Sequence, residues 1–327
     1  MKKYKYNLGI LLMTLLLFPI IIFLSARSFK KLRDFCYSYV RDGSIENVEF
    51  NSIDIYYEDI KNKNLPKSKI LNSDLKELEI IDEKGKISCL VLTKKESKKW
   101  VIGLHGWTEN KYLALRLTEH YFNNGYNVFL FDSFAHGKTY GDITDIGIST
   151  LVIIDKIIDY MKENYEIDSI GMIGNSMGAS TSILYTQRGK YKNLINWVVA
   201  DCGFEHMIRQ YRHYISANLL KKKWWLISLF MGHKFNKVTK TKQTKYDLLK
   251  GMKNCSTPTL FIHSIGDTFI PYEMSENMYK YKLRYNPNSN SLLWIPKDSL
   301  KTEHVRTIAD FNDEYIIKTL NFAKTNE

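Results

Sequence analysis

After Lys2, Lys3 and Lys5 the chain runs from Leu8 to Leu24 without a charge. A secretory apolar region takes about 7–15 residues and a membrane-crossing helix about 17–25. The run sits at the edge of both ranges. Ala26-Arg27-Ser28 is a poor small-residue cleavage site, so residues 1–27 read as a single-pass transmembrane anchor, with a cleaved signal as the alternative. The leading lysines favour an amino terminus in the cytoplasm and an extracytoplasmic domain. Arg27, Lys30, Lys31 and Arg33 nearly balance them on the other flank.

Residues 28–74 are polar and mixed, with "KNKNLPKSK" reading as a loop, and form a lead-in segment. From Leu75 a rhythm begins. "ELEIID" and "ISCLVLT" are short β-like runs separated by Glu83-Lys84-Gly85, a hairpin signal. The runs "WVIGLHG" and "YNVFLFD" predict buried strands, and "DSIGMIG", "INWVVAD", "TPTLFIHS" and "NSLLWIP" predict further strands. Between them, "KYLALRLTEHYFNN", "GISTLVIIDKIIDYMKENY" and "MGASTSILYTQRG" carry helical spacing, and "IADFNDEYIIKTLNFAK" closes the chain as a helix.

Strands alternating with helices predict an α/β domain, a mostly parallel central sheet with helices on both faces. Right-handed crossovers then bring the carboxyl ends of the strands to one edge, where functional loops gather. The core occupies residues 75–202 and 253–327. Residues 203–252 break the rhythm with helical patterns only, and read as an inserted helical cap over that edge. Lys221, Lys222 and Lys223 precede Trp224 and Trp225 there. They fit a cap whose tryptophans pack over a cleft while its lysines face water, or one that touches a membrane.

Apolar residues make up 44% and charged residues 25% of the 327, ordinary for a folded protein. The net charge of +12 is not ordinary. An anionic membrane surface is one partner it would suit. Neither zinc spacing nor a nucleic-acid motif accompanies it, so nucleic acid is not expected as a partner. Cys36, Cys89, Cys202 and Cys255 have no CxxC spacing, which argues against a structural metal.

The chemistry centres on "GNSMG". Gly-x-Ser-x-Gly alone is a weak signal, and context decides it. Here a strand precedes Ser176 and a helix follows it. Gly174 and Gly178 suit so tight a turn, and the backbone N–H of Met177 falls at a helix start. A serine hydroxyl needs a base and an orienting acid. In a strand-turn-helix arrangement of this kind the chain order is serine, acid, histidine. "TLFIHSIGDTFIP" places Asp267 in the loop after a late strand. Of the eight histidines only His304 lies beyond it. The order therefore selects Ser176, Asp267 and His304. His304 would take the serine proton and Asp267 would hold the imidazole. Met177 and Trp107 would supply two backbone donors to an oxyanion. His105 reads as structural, Asp132 and His136 as loop-shaping, and Cys202 as a buried small residue; Asp201 would line the pocket or serve as a reserve carboxylate. No metal site is expected.

With those residues in place, "HGWTENKY", "FDSFAHGKT", "GNSMGAST", "DCGF", "PTLFIHSIGDTFIPYEM" and "EHVR" resemble the α/β-hydrolase superfamily, and more narrowly its bacterial branch near the prolyl oligopeptidase-like serine hydrolases. The resemblance runs from about Leu75 to the carboxyl terminus and weakens through the cap. It implies the α/β-hydrolase fold and hydrolysis of an ester, thioester or small acyl substrate through an acyl-enzyme, without metal or organic cofactor. A compact serine peptidase acting on short peptides, and a non-catalytic binding protein on the same scaffold, are the alternatives. Ser264 departs from the glycine that many relatives carry there, which implies a reshaped turn before Asp267.

Overall fold

A computed structural model of the chain describes residue 12, residues 15–27, residue 30, residues 49–214 and residues 225–327. Eight strands form one sheet: β1 (Lys76–Asp82), β2 (Gly85–Leu92), β3 (Lys99–Leu104), β4 (Asn127–Phe131), β5 (Ser169–Asn175), β6 (Ile195–Asp201), β7 (Thr259–Ile262) and β8 (Leu292–Trp294). Their order is β1-β2-β4-β3-β5-β6-β7-β8. The β1–β2 and β2–β4 pairs are antiparallel, and every other pair is parallel. The hairpin signal is realised as pairing of Asp82 with Gly85 across Glu83-Lys84.

The main helices are α1 (Ile53–Asn62), α2 (Leu115–Asn123), α3 (Thr150–Asn164), α4 (Met177–Arg188), α5 (Met207–Tyr214), α6 (Trp225–Thr239), α7 (Glu273–Tyr285) and α8 (Asn312–Thr325). Strands β4 and β5 are buried along their whole length, which is why they read as continuous apolar runs rather than alternating ones. One core layer packs Trp100, Phe129 and Met172 with Ile154 and Ile158 of α3. The other sets Trp197 and Val199 with Tyr121 of α2 and Tyr315 of α8.

The described stretch of the lead-in from residue 49 onward is built into a core cluster. Ile55, Tyr56, Ile60 and Ile70 pack with Leu90, Leu92 and Leu130. Between β6 and β7 the described residues form helices and loops, with no strand among them and a single bridge, His206 with Asp247. The lysine–tryptophan stretch 221–224 lies outside the described residues.

One expectation gains no support. Among the described residues no helix is long and apolar enough to cross a membrane. The described part of the Leu8–Leu24 run, residue 12 and residues 15–24, is helical, and the helix continues to residue 27; the rest of the expected transmembrane anchor lies outside the described residues.

Candidate active site

Strand β5 ends at Asn175, paired with Asp201 at the end of β6, and Leu104 at the end of β3 pairs with Gly174. Ser176 is the next residue. Its backbone turns sharply, with φ 53° and ψ −115°, and α4 begins at Met177. Such a conformation is strained for a residue with a side chain and persists only where its surroundings enforce it. Two glycines allow the enforcement. A Cβ on Gly174 would lie 2.4 Å from the carbonyl carbon of Gly178, and one on Gly178 would lie 2.2 Å from the Leu104 carbonyl oxygen. The Ser176 N–H is held by the Asp201 carbonyl at 2.8 Å.

Three side chains from distant parts of the chain meet at the turn. His304 Nε2 lies 2.9 Å from Ser176 Oγ, and His304 Nδ1 lies 2.6 Å from Asp267 Oδ2. With Nδ1–H donating to the carboxylate, Nε2 is left to accept the serine proton. Asp267 is 5% exposed and closely bound. Its Oδ1 accepts the N–H groups of Phe269 and Ile270, both at 2.9 Å. Burial alone would raise its pKa. Hydrogen bonds from His263 and His304 outweigh that and hold the carboxyl well below the usual carboxylate range.

His263 lies in the run that predicted β7, and its part in the site went unread there. Its Nε2 donates to Asp267 Oδ2 at 3.1 Å and to the Ile270 carbonyl at 2.9 Å, while Nδ1 pairs with Ser275 Oγ at 2.7 Å. The i, i+4 spacing of His263 and Asp267 was the available signal. Phe269 packs against the His304 ring, centroids 5.0 Å apart. Ser264, the departure from glycine, bonds Thr307 through its hydroxyl at 2.9 Å, and so ties the acid's loop to the segment that follows His304.

Met177 and Trp107 both line the cleft that holds Ser176. Met177 opens α4, where first-turn N–H groups have no intrahelical acceptor. Glu109 joins the two loops that carry these residues. Its Oε2 accepts from Gly106 N at 2.7 Å and from Asn175 Nδ2 at 3.1 Å, and its Oε1 pairs with Arg116 at 2.7 Å. Arg116 is fully buried and also pairs with Asp59 of α1. Burial works against the Glu109 charge, but Arg116 prevails and brings its pKa down to about 2.

The remaining residues singled out from the sequence sit around this centre. His105 is fully buried. It bonds the Gly106 carbonyl and accepts from Ser133 N, linking the loops after β3 and β4. Asp132 accepts from Asn51 Nδ2 and from the N–H groups of Lys111 and Lys138, with the buried Lys111 ammonium 3.6 Å away. His136 Nδ1 pairs with the Phe134 carbonyl at 2.9 Å. Cys202 is buried, and desolvation pushes its thiol pKa well up, away from thiolate chemistry. Asp201 is fully buried with its carboxylate facing the Tyr315 hydroxyl, and burial raises its pKa to about 6. Cys202, Asp267 and His304 lie close enough together to hold a metal ion. Asp267 and His304 are instead hydrogen-bonded to each other, and His304 to Ser176.

The sheet order, the strained turn at the end of β5, and a helix starting from it define the α/β-hydrolase fold. Comparison agrees: residues 99–221 match the sequence model of the alpha/beta hydrolase fold. The chain is 26% identical over 190 residues to an uncharacterised protein of Bacillus subtilis, YqkD, across 56% of this chain and 59% of that one. It thus spans less than two thirds of that relative. Among solved structures it is similar to the Pyrococcus furiosus esterase Pf2001, with a TM-score of 0.62 and 26% identity over 81% of this chain and 95% of that one. It is also similar to the acylaminoacyl peptidase of Pyrococcus horikoshii, with a TM-score of 0.59 and 15% identity over 77% of this chain and 41% of that one, a likeness of fold alone. The chain has the α/β-hydrolase fold.

Proposed function

We propose that the protein is a serine hydrolase that cleaves an ester, thioester or related acyl bond through an acyl-enzyme on Ser176. The observation that carries this reading is the unbroken relay from Ser176 Oγ through His304 to Asp267, opening on a cleft. His304 Nε2 takes the hydroxyl proton as Oγ attacks the acyl carbon, then returns it to the leaving group; water repeats the cycle on the acyl-enzyme. Asp267, ionised and held by two histidines, fixes the imidazole orientation and stabilises its charged form. The N–H groups of Met177 and Trp107 receive the oxyanion. Besides substrate and water, each step draws on Ser176, His304, Asp267 and backbone N–H groups.

The cleft of about 550 Å³, its open mouth included, is lined mainly by apolar side chains, among them Trp107, Ile146, Phe204 and Phe235. That suits an uncharged acyl group. Stopped-flow hydrolysis of p-nitrophenyl esters is the test. The wild type is expected to release a burst of nitrophenol equal to the enzyme present, and Ser176→Ala to lose about a millionfold in kcat. Turnover that survives in Ser176→Ala would exclude the assignment. Aminoacyl-anilides run beside the esters separate esterase from compact peptidase activity.

A further inference from the structure

Helix α5 presents Met207, Gln210, Tyr211 and Tyr214 to the cleft, the i, i+3, i+4, i+7 spacing of a single helix face. Gln210 is the one amide on that face, and it is 5% exposed. Its Nε2 donates to the Phe269 carbonyl at 2.6 Å. A carbonyl oxygen only accepts, so the amide nitrogen must face Phe269 and the orientation of the amide is fixed. That leaves Oε1, which is buried and has no hydrogen-bond donor among the described residues. The hydroxyl of Tyr211 on the same face is turned elsewhere, to Gln243 Oε1 at 3.1 Å. A buried acceptor without a donor is a standing cost to the fold, and one retained beside a reactive serine is matched when a ligand brings the donor.

The described residues lining the cleft include no Asp, Glu, Lys or Arg. Against these described residues a cationic donor would meet no counter-charge, so the group that fits them is neutral. We infer that Gln210 is a specificity-determining residue: its Oε1 accepts a hydrogen bond from a neutral N–H or O–H of the substrate. Acyl groups carrying such a donor are then preferred over plain hydrocarbon acyl chains. The inference rests on the hydrolase reading above and names the substrate class for that same site.

The test uses the full chain and four p-nitrophenyl esters sharing one leaving group: a plain straight-chain acyl ester, its hydroxylated counterpart, an N-acyl amino acid ester of matched length, and the last compound methylated on its amide nitrogen. The expected result is a kcat/KM about ten- to a hundredfold higher for a donor-bearing ester than for its donor-free partner. The hydroxyl and amide arms tell which kind of donor fits. In Gln210→Met the ratio falls to near one. If Gln210 acted only by holding Phe269 against His304, its loss would slow all four esters alike and leave the ratio standing. Equal kcat/KM across the series in the wild type, or a preference that survives Gln210→Met, overturns the inference. Turnover of the plain ester with a burst, but no preference, defeats this inference and leaves the hydrolase reading intact. No turnover of any ester defeats both.

Discussion

Two carboxylates near Ser176, Asp201 fully buried and Glu109 half-buried, carry opposite linkage to pH. Asp201 has its pKa raised by burial from 3.8 to about 6. The folded chain therefore holds that proton more tightly than the unfolded one, and stability falls as pH rises from about 4 through 6. The shift corresponds to about 3 kcal/mol. Asp201→Asn should raise the melting temperature at pH 8 and change it little at pH 4; an equal change at both would remove Asp201 as the source. Glu109 behaves in the reverse sense. Its pKa is lowered from 4.5 to about 2, mainly by Arg116 acting against burial. Its contribution is complete above pH 4.5 and is lost as pH falls toward 2. Glu109→Gln should destabilise at pH 7 by about 3 kcal/mol or more, because the buried Arg116 loses a partner. It should also flatten the acid limb of stability against pH, and an acid limb as steep as in the wild type would contradict the role. Neither residue's state was legible in the sequence. The partners of Glu109, at Gly106, Asn175 and Arg116, come from three separate elements, and burial of Asp201 depends on both sheet faces being covered.

At the scale of elements, the turn between β5 and α4 depends on how closely the helix lies against β3. A methyl group on Gly178 would meet the Leu104 carbonyl oxygen at 2.2 Å, and backbone cannot swing aside as a long side chain can. Gly178→Ala should cost about 1–3 kcal/mol in urea denaturation and displace the Met177 N–H from Ser176, lowering kcat more than it raises KM. Unchanged stability would show that α4 sits farther from β3. The strand–turn–helix pattern was readable here because a buried strand and a helix leave different periods on either side of the serine. Residues 203–252 were readable as helical and as a cap over the strand edge, but nothing in the pattern said which helix face would meet Ser176. That meeting is set by the path from β6 to β7, which has no repeating pattern. The lead-in likewise hid its role. Asp59 reaches Arg116 and Asn51 reaches Asp132 only because α1 folds back onto the core.

For the whole molecule, parallel crossovers bring residues 176, 267 and 304 to one sheet edge from well-separated positions. The chain order picked out His304 because no other histidine follows Asp267. Topology converts that order into contact, since β5, β7 and β8 end on the same side. His263, by contrast, precedes the acid and escaped the order argument, although it shares the same carboxylate oxygen with His304. The central claim is that this meeting makes Ser176 a nucleophile. Labelling the full chain with a fluorophosphonate and mapping the adduct by mass spectrometry tests it most directly. The account predicts one adduct, on Ser176, absent from Ser176→Ala and formed far more slowly in His304→Ala; an adduct on another residue, or labelling that persists in Ser176→Ala, would contradict it.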